Sequence, residues 1–111
     1  MVIAVRPSSG LRLSSAGRVY ALERLTTALA RSAASVREAR LSVHDANGPR
    51  GGVDKTCTVT VRLRGGPPVT VVERAGTVTA AVDGASRRAG HAVGRLVARV
   101  RRLFRRNGEG R

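Results

Sequence analysis

Lys55-Thr56-Cys57-Thr58-Val59-Thr60-Val61-Arg62-Leu63-Arg64-Gly65-Gly66-Pro67-Pro68-Val69-Thr70-Val71-Val72-Glu73 is the stretch that decides the fold. Cys57, Val59, Val61 and Leu63 alternate with Thr56, Thr58, Thr60 and Arg62. That is the period of a strand with one face in a core and the other in water. Arg64-Gly65-Gly66-Pro67-Pro68 is tight-turn chemistry, and Val69 to Glu73 begins a second strand. Upstream, Val36 to His44 alternates in the same way, with Ala39, Leu41 and Val43 inward and Arg40, Ser42 and His44 outward. Asp45-Ala46-Asn47-Gly48-Pro49-Arg50-Gly51-Gly52 joins the two as a turn. Three strands linked by short turns predict an antiparallel meander.

Working outward, Val2 to Val5 is a short β-branched run ended by Pro7, Ser8, Ser9 and Gly10, which reads as a first strand. Ser14 or Ser15 caps a helix over Ala16 to about Ala34, with Val19, Leu22, Leu25 and Leu29 as one apolar face. A second helix starts near Thr77 and runs to about Arg105. Its seam is Val78, Val82, Ala85, Ala89, Val93, Leu96, Val100 and Leu103. Gly84, Gly90 and Gly94 weaken that helix by about 1 kcal/mol each relative to Ala, so packing on a sheet must compensate. The order β-α-β-β-β-α predicts an α+β two-layer sandwich, a four-stranded sheet with two helices on one face. The sequence shows no internal repeat. One domain over residues 1–106 is expected, followed by a flexible basic tail over 107–111.

The charge is extreme for 111 residues. There are 21 Lys+Arg against 7 Asp+Glu, a net +14, and the isoelectric point is near 12.0. Lys55 is the only lysine. A chain that repels itself this strongly should seek a polyanion, and the planar fork of Arg matches two phosphate oxygens. Cys57 is the only cysteine, so an intramolecular disulfide is excluded. The N-terminus lacks a charged region before an apolar run, and no apolar stretch approaches the ~18 residues that span a bilayer. A cytoplasmic protein without a membrane partner is expected.

Catalytic readings fail one by one. Gly48 to Thr56 only superficially resembles a phosphate-binding loop. Asp54 replaces the glycine before Lys55, and a strand follows where a helix should. Cys57 with His44 or His91 is a nominal nucleophile–base pair, yet the alternation sets Cys57 and His44 on opposite faces of the sheet. Two His and one Cys without close spacing make no metal site, and the acids are scattered. No enzyme, cofactor, metal or small-molecule substrate is expected.

The basic surface remains. On helix two, Arg88, His91, Arg95, Arg99, Arg102 and Arg106 share one stripe at spacings of three and four, widened by Arg87, Arg101 and Arg105. A merely solvated helix face would interleave acids, and none stands between Asp83 and Glu109. Arg40, Arg62 and Arg64 form a second positive area on or beside the open sheet face, and Lys55 is a further RNA-binding candidate. Arg24 and Arg31 on helix one are expected to matter less. The only aromatics, Tyr20 and Phe104, fall in helices. Base stacking on the sheet is therefore not expected, and binding should proceed through phosphate and shape.

The element order, the run Asp45-Ala46-Asn47-Gly48-Pro49-Arg50-Gly51-Gly52-Val53-Asp54-Lys55-Thr56-Cys57, and Ala80-Ala81-Val82-Asp83 opening a basic helix together resemble the ribosome hibernation-promoting factor family. That family is also called ribosome-associated inhibitor or protein Y. The resemblance covers nearly the whole chain and points to a short form without the C-terminal dimerisation domain of longer members. It implies a β-α-β-β-β-α fold and binding to 16S rRNA in the mRNA and tRNA channel of the 30S subunit. It also implies blocked translation in stress and stationary phase, with 70S or 100S ribosomes as the partner particles and a monomer off the ribosome. By matching position, the family's basic helix-two residues fall at Arg88, His91 and Arg95. His91 stands where the family has Arg or Lys, and Thr79 where an aromatic is frequent. Two other classes account for the charge. One is a general structured-RNA-binding protein or RNA chaperone with a double-stranded-RNA-binding-like fold. The other is a structural ribosomal protein.

Overall fold

A computed structural model describes residues 1–7, 13–45 and 55–109. Strand β1 (Val2–Pro7) leads through α1 (Ser15–Leu29) and a 3₁₀ segment (Ala30–Ser35) to β2 (Val36–Asp45). Then come β3 (Lys55–Leu63), β4 (Val69–Ala75) and α2 (Val78–Glu109). The sheet order is β1-β2-β3-β4. The β2-β3-β4 meander is antiparallel, as the short turns predict, and β1 joins β2 in parallel through the α1 crossover. The registers align Val5, Leu41, Val59 and Val71 in one row, and Ile3, Ala39, Val61 and Val69 in the next. These rows form the face that both helices cover. Leu25, Leu29, Leu41, Val59, Val61 and Val93 are fully buried in one cluster. Each such side chain contributes about 1.5–3 kcal/mol by leaving water.

Local chemistry fixes the ends of the elements. The Ser14 side chain accepts a hydrogen bond from Gly17 N at 3.0 Å, capping α1. Thr77 Oγ1 accepts one from Ala80 N at 3.1 Å, which starts α2. Val36 and Ala39 are both buried although three residues apart, because the β2–β3 register shifts between Val36 and Glu38. A bulge of this kind turns two positions of one strand to the same side.

Several boundaries differ from the sequence expectation. β1 continues through Pro7, because proline is tolerated on an edge strand where no ladder donor is needed. β2 runs on to Asp45 and β4 to Ala75, each past the expected end. The α-helical part of α1 stops at Leu29, and the chain tightens into the 3₁₀ segment as it turns into β2. Val19 and Leu22, expected on the apolar face of α1, are about half exposed, and Ala21 takes the contact instead. α2 extends to Glu109, past the expected end at Arg105. Asn107 and Gly108 do not halt a helix that is already propagating. Val100 and Leu103, expected in the α2 seam, are exposed because the sheet ends beneath Val97. The Asp45–Gly52 turn and the loop that carries the family resemblance lie almost wholly outside the described residues.

The glycines of α2 divide by what faces them. A Cβ at Gly90 would sit 2.6 Å from the Ala28 carbonyl oxygen, whereas one at Gly94 would meet nothing within 4 Å. Gly94→Ala should therefore stabilise by about 1 kcal/mol through helix propensity alone. Gly90→Ala should destabilise, since forcing backbone apart costs about 1–3 kcal/mol and exceeds the propensity gain. Urea denaturation of both variants checks this, and a stabilised Gly90→Ala would contradict the close approach of α1 and α2.

Candidate nucleic-acid interface

The outward face of α2 carries Arg87, Arg88, His91, Arg95, Arg99, Arg101, Arg102 and Arg105, all exposed. Arg106 lies on the same helix, its side chain outside the described residues. The face is not uniform. Arg88 leans over the edge of the sheet, where Nη1 lies 3.2 Å from Glu73 Oε2 and also donates to the Val72 carbonyl. The expectation that Arg88 lacks an acidic neighbour is thus corrected. Glu73 is remote in sequence, but the register places it opposite Cys57, on the side of the sheet that faces the helices.

On its other flank α2 forms a groove with α1. Arg24 and Arg31 stand across from Arg87, His91 and Arg95, around a concavity of about 510 Å³. Ser86 also lines it. Its hydroxyl is buried and has no hydrogen-bond partner among the described residues. One acid stands at the groove's end. Asp83 Oδ1 accepts from Tyr20 Oη at 2.6 Å and from Arg24 Nε at 2.9 Å, which ties α1 to the first turns of α2. The hydrogen bond to Asp83 raises the Tyr20 pKa, because the carboxylate favours the protonated phenol. Sequence reasoning ranked Arg24 and Arg31 low. Arg24 stands on α1 and Arg31 in the 3₁₀ segment that follows it, and only the packing shows that both share this groove with α2.

The open sheet face is a separate basic surface. Arg6, Arg40 and Arg62 surround Ser42, Thr58 and Thr60 in a shallow depression of about 320 Å³. The register sets Arg40 opposite Thr60 and Ser42 opposite Thr58. Glu38 accepts a hydrogen bond from Arg40. Arg6 is an addition to the residues expected here. Arg64 stands beside this face, with its Nε donating to the Ala34 carbonyl at 2.9 Å. Lys55 is largely enclosed and pairs with Asp45 at 3.0 Å. Helix and sheet cations therefore do not form one patch. They lie on opposite sides of a molecule whose shortest extent is 18 Å.

Cys57 is fully buried beneath α2, on the opposite side of the sheet from exposed His44. Among the described residues no group of His, Cys, Asp or Glu could hold a metal ion, and no helix is long and apolar enough to cross a membrane. Burial, reinforced by Glu73, pushes the Cys57 thiol up to about 12. A group whose folded pKa is raised contributes stability that is complete below its unfolded pKa and is lost as pH rises. Stability should therefore decline from about pH 9 towards pH 12. Cys57→Ala should flatten the slope of Tm against pH over that window, Tyr20 leaving a smaller residual. An unchanged slope would contradict the thiol's part in it.

No protein-family model matches the sequence, and no curated protein sequence matches it significantly. Solved structures do match. The N-terminal domain of Thermus thermophilus protein Y aligns with a TM-score of 0.66 at 24% identity, over 86% of this chain and 94% of that one. A ribosomal subunit interface protein from Coxiella burnetii aligns with a TM-score of 0.72 at 16% identity, over 88% and 99% of the two chains. The fold is that of these two proteins, present here over nearly its full length.

Proposed function

We propose, on the basis of that shared fold, that this protein belongs with the ribosome hibernation factors. In this reading it binds 16S rRNA in the mRNA–tRNA channel of the 30S subunit and holds 70S or 100S ribosomes idle in the cytoplasm of stressed or stationary cells. The observation that carries the reading is the pairing of this fold with cations on both broad faces. A single RNA duplex engages one face of a protein. A thin slab with Arg24, Arg31, Arg87 and Arg95 on one side and Arg6, Arg40 and Arg62 on the other suits a crevice walled by RNA on both sides. This favours the ribosomal channel over a general duplex-binding role.

The mechanism needs no catalysis and no cofactor. The two rows of Arg across the α1–α2 groove bracket a phosphate backbone, each fork donating two charge-assisted hydrogen bonds. His91 lies between them as a weaker donor. The Ser86 hydroxyl supplies a neutral donor at the groove floor. Arg99, Arg101, Arg102 and Arg105 extend the contact along α2, and Arg64 adds charge at the end of β3, whereas Lys55 is enclosed and neutralised by Asp45. With no aromatic on the sheet, recognition rests on phosphate spacing and groove shape, not on stacked bases. Occupying the channel excludes tRNA and mRNA sterically. Residues 1–106 act as one folding unit, monomeric off the ribosome.

Arg95→Glu with Arg99→Glu should abolish co-sedimentation with small subunits and inhibition of translation in vitro, while leaving the fold intact. Arg24→Glu with Arg31→Glu should do so to a similar degree, now that the groove places both opposite α2. If about six phosphates are contacted, raising salt from roughly 50 to 200 mM should cost on the order of a thousandfold in affinity. A folded Arg95/Arg99 variant that still inhibits at wild-type concentration would move the binding face to the sheet. Equal affinity for ribosomes and naked duplex RNA would favour the general RNA-binding reading.

A further inference from the structure

Beyond the sheet, α2 has a second surface that phosphate binding leaves unused. Val100, Leu103 and Phe104 are 46%, 53% and 74% exposed, and Phe104 is the only phenylalanine in the chain. They continue the buried seam of α2 past the point where the sheet ends, so they lie away from the outward Arg stripe. Val100 also walls a groove of about 480 Å³ together with Leu63, Pro67, Leu96 and Val97, with Arg64 and Arg101 at its rim, and Leu103 and Phe104 follow it along the helix. Its far wall is fixed in advance. Arg64 Nε donates to the Ala34 carbonyl and Arg64 N to the Ser35 carbonyl, both at 2.9 Å, tying the end of β3 to the 3₁₀ segment.

We propose that this groove docks an acidic polypeptide segment bearing at least one large apolar side chain. The volume lies in the range of ligand-binding clefts, and an apolar patch rimmed by charge is the usual form of a protein-docking surface. RNA phosphates offer nothing that would cover Val100 or Phe104. A second copy is disfavoured by charge, since each carries a net +14 and Glu38, Asp45, Glu73 and Asp83 are already paired. Arg64 and Arg101 set cations at the rim of the groove. The complementary partner therefore combines carboxylates with an apolar anchor. The rim cations Arg64 and Arg101 are shared with the ribosomal reading, whereas the apolar wall of Leu63, Pro67, Leu96, Val97 and Val100 is not.

The test uses the full chain and a fluorescein-labelled peptide with Leu and Phe four residues apart among Asp and Glu. Anisotropy should show binding that weakens about tenfold or more when Leu and Phe are replaced by Ser. Val100→Asp with Phe104→Asp should cause a similar loss. Thr70→Asp with Val72→Asp on the outer strand, which changes net charge equally, should retain binding. Thermal melts verify the fold, and Val100→Ser with Phe104→Ser replaces the Asp pair if the latter does not fold. Equal binding of the Ser peptide, or undiminished binding by the groove variant, would overturn the proposal. So would two other results: loss of duplex-RNA affinity in the groove variant as large as its loss of peptide affinity, or self-association in the ultracentrifuge that this variant abolishes.

Discussion

Helix α2 passes so close to α1 at Gly90 that an added methyl would lie 2.6 Å from the Ala28 carbonyl oxygen. That approach sets the spacing of the two helices, and the rest of the molecule follows from it. It brings Ala21, Leu25 and Leu29 of α1 and Ala85, Ala89 and Val93 of α2 over one sheet face. It also narrows the channel between the helices until Arg24 and Arg31 face Arg87 and Arg95. A bulkier residue at Gly90 would separate the two rows. The glycine that weakens α2 as an isolated helix thus creates the concave, cationic surface of the folded protein.

Electrostatics divides the chain into frame and surface. Four of the seven acids, Glu38, Asp45, Glu73 and Asp83, form ion pairs in the described structure. Asp83 ties α2 to α1, Glu73 ties it to β4, and Glu38 and Asp45 act within the sheet. These pairs are partly exposed and individually weak, on the order of 1 kcal/mol or less. Their effect is mainly positional. With these acids engaged in the frame, the remaining arginines project outward with few anions to neutralise them. Self-repulsion of this kind destabilises the free protein and is relieved when a polyanion binds.

The strands were legible because one face of each is buried and the other wet. That alternation depends only on local sequence, as Cys57, Val59 and Val61 show. The helix–helix contact was not legible, because Gly90 and Ala28 lie far apart in sequence and neither carries a distinctive side chain. For the same reason Arg24 and Arg31 were undervalued, and Glu73 was not recognised as the partner of Arg88. The α2 seam was read correctly as far as Val93. Beyond Val97 the helical period continues but the sheet does not, so periodicity alone could not show that Val100 and Leu103 emerge into solvent.

In the proposed reading both broad faces meet RNA at once. This is tested most directly by tethering iron–EDTA to single cysteines in a Cys57→Ala background, one at Arg99→Cys on α2 and one at Thr58→Cys on the open sheet. Hydroxyl-radical cleavage of 16S rRNA is then mapped in reconstituted small subunits. A slab seated in the mRNA–tRNA channel gives strong, localised cuts from both positions, in rRNA segments that line opposite walls. Cuts from the α2 probe alone, or diffuse cleavage from both, would contradict two-sided binding.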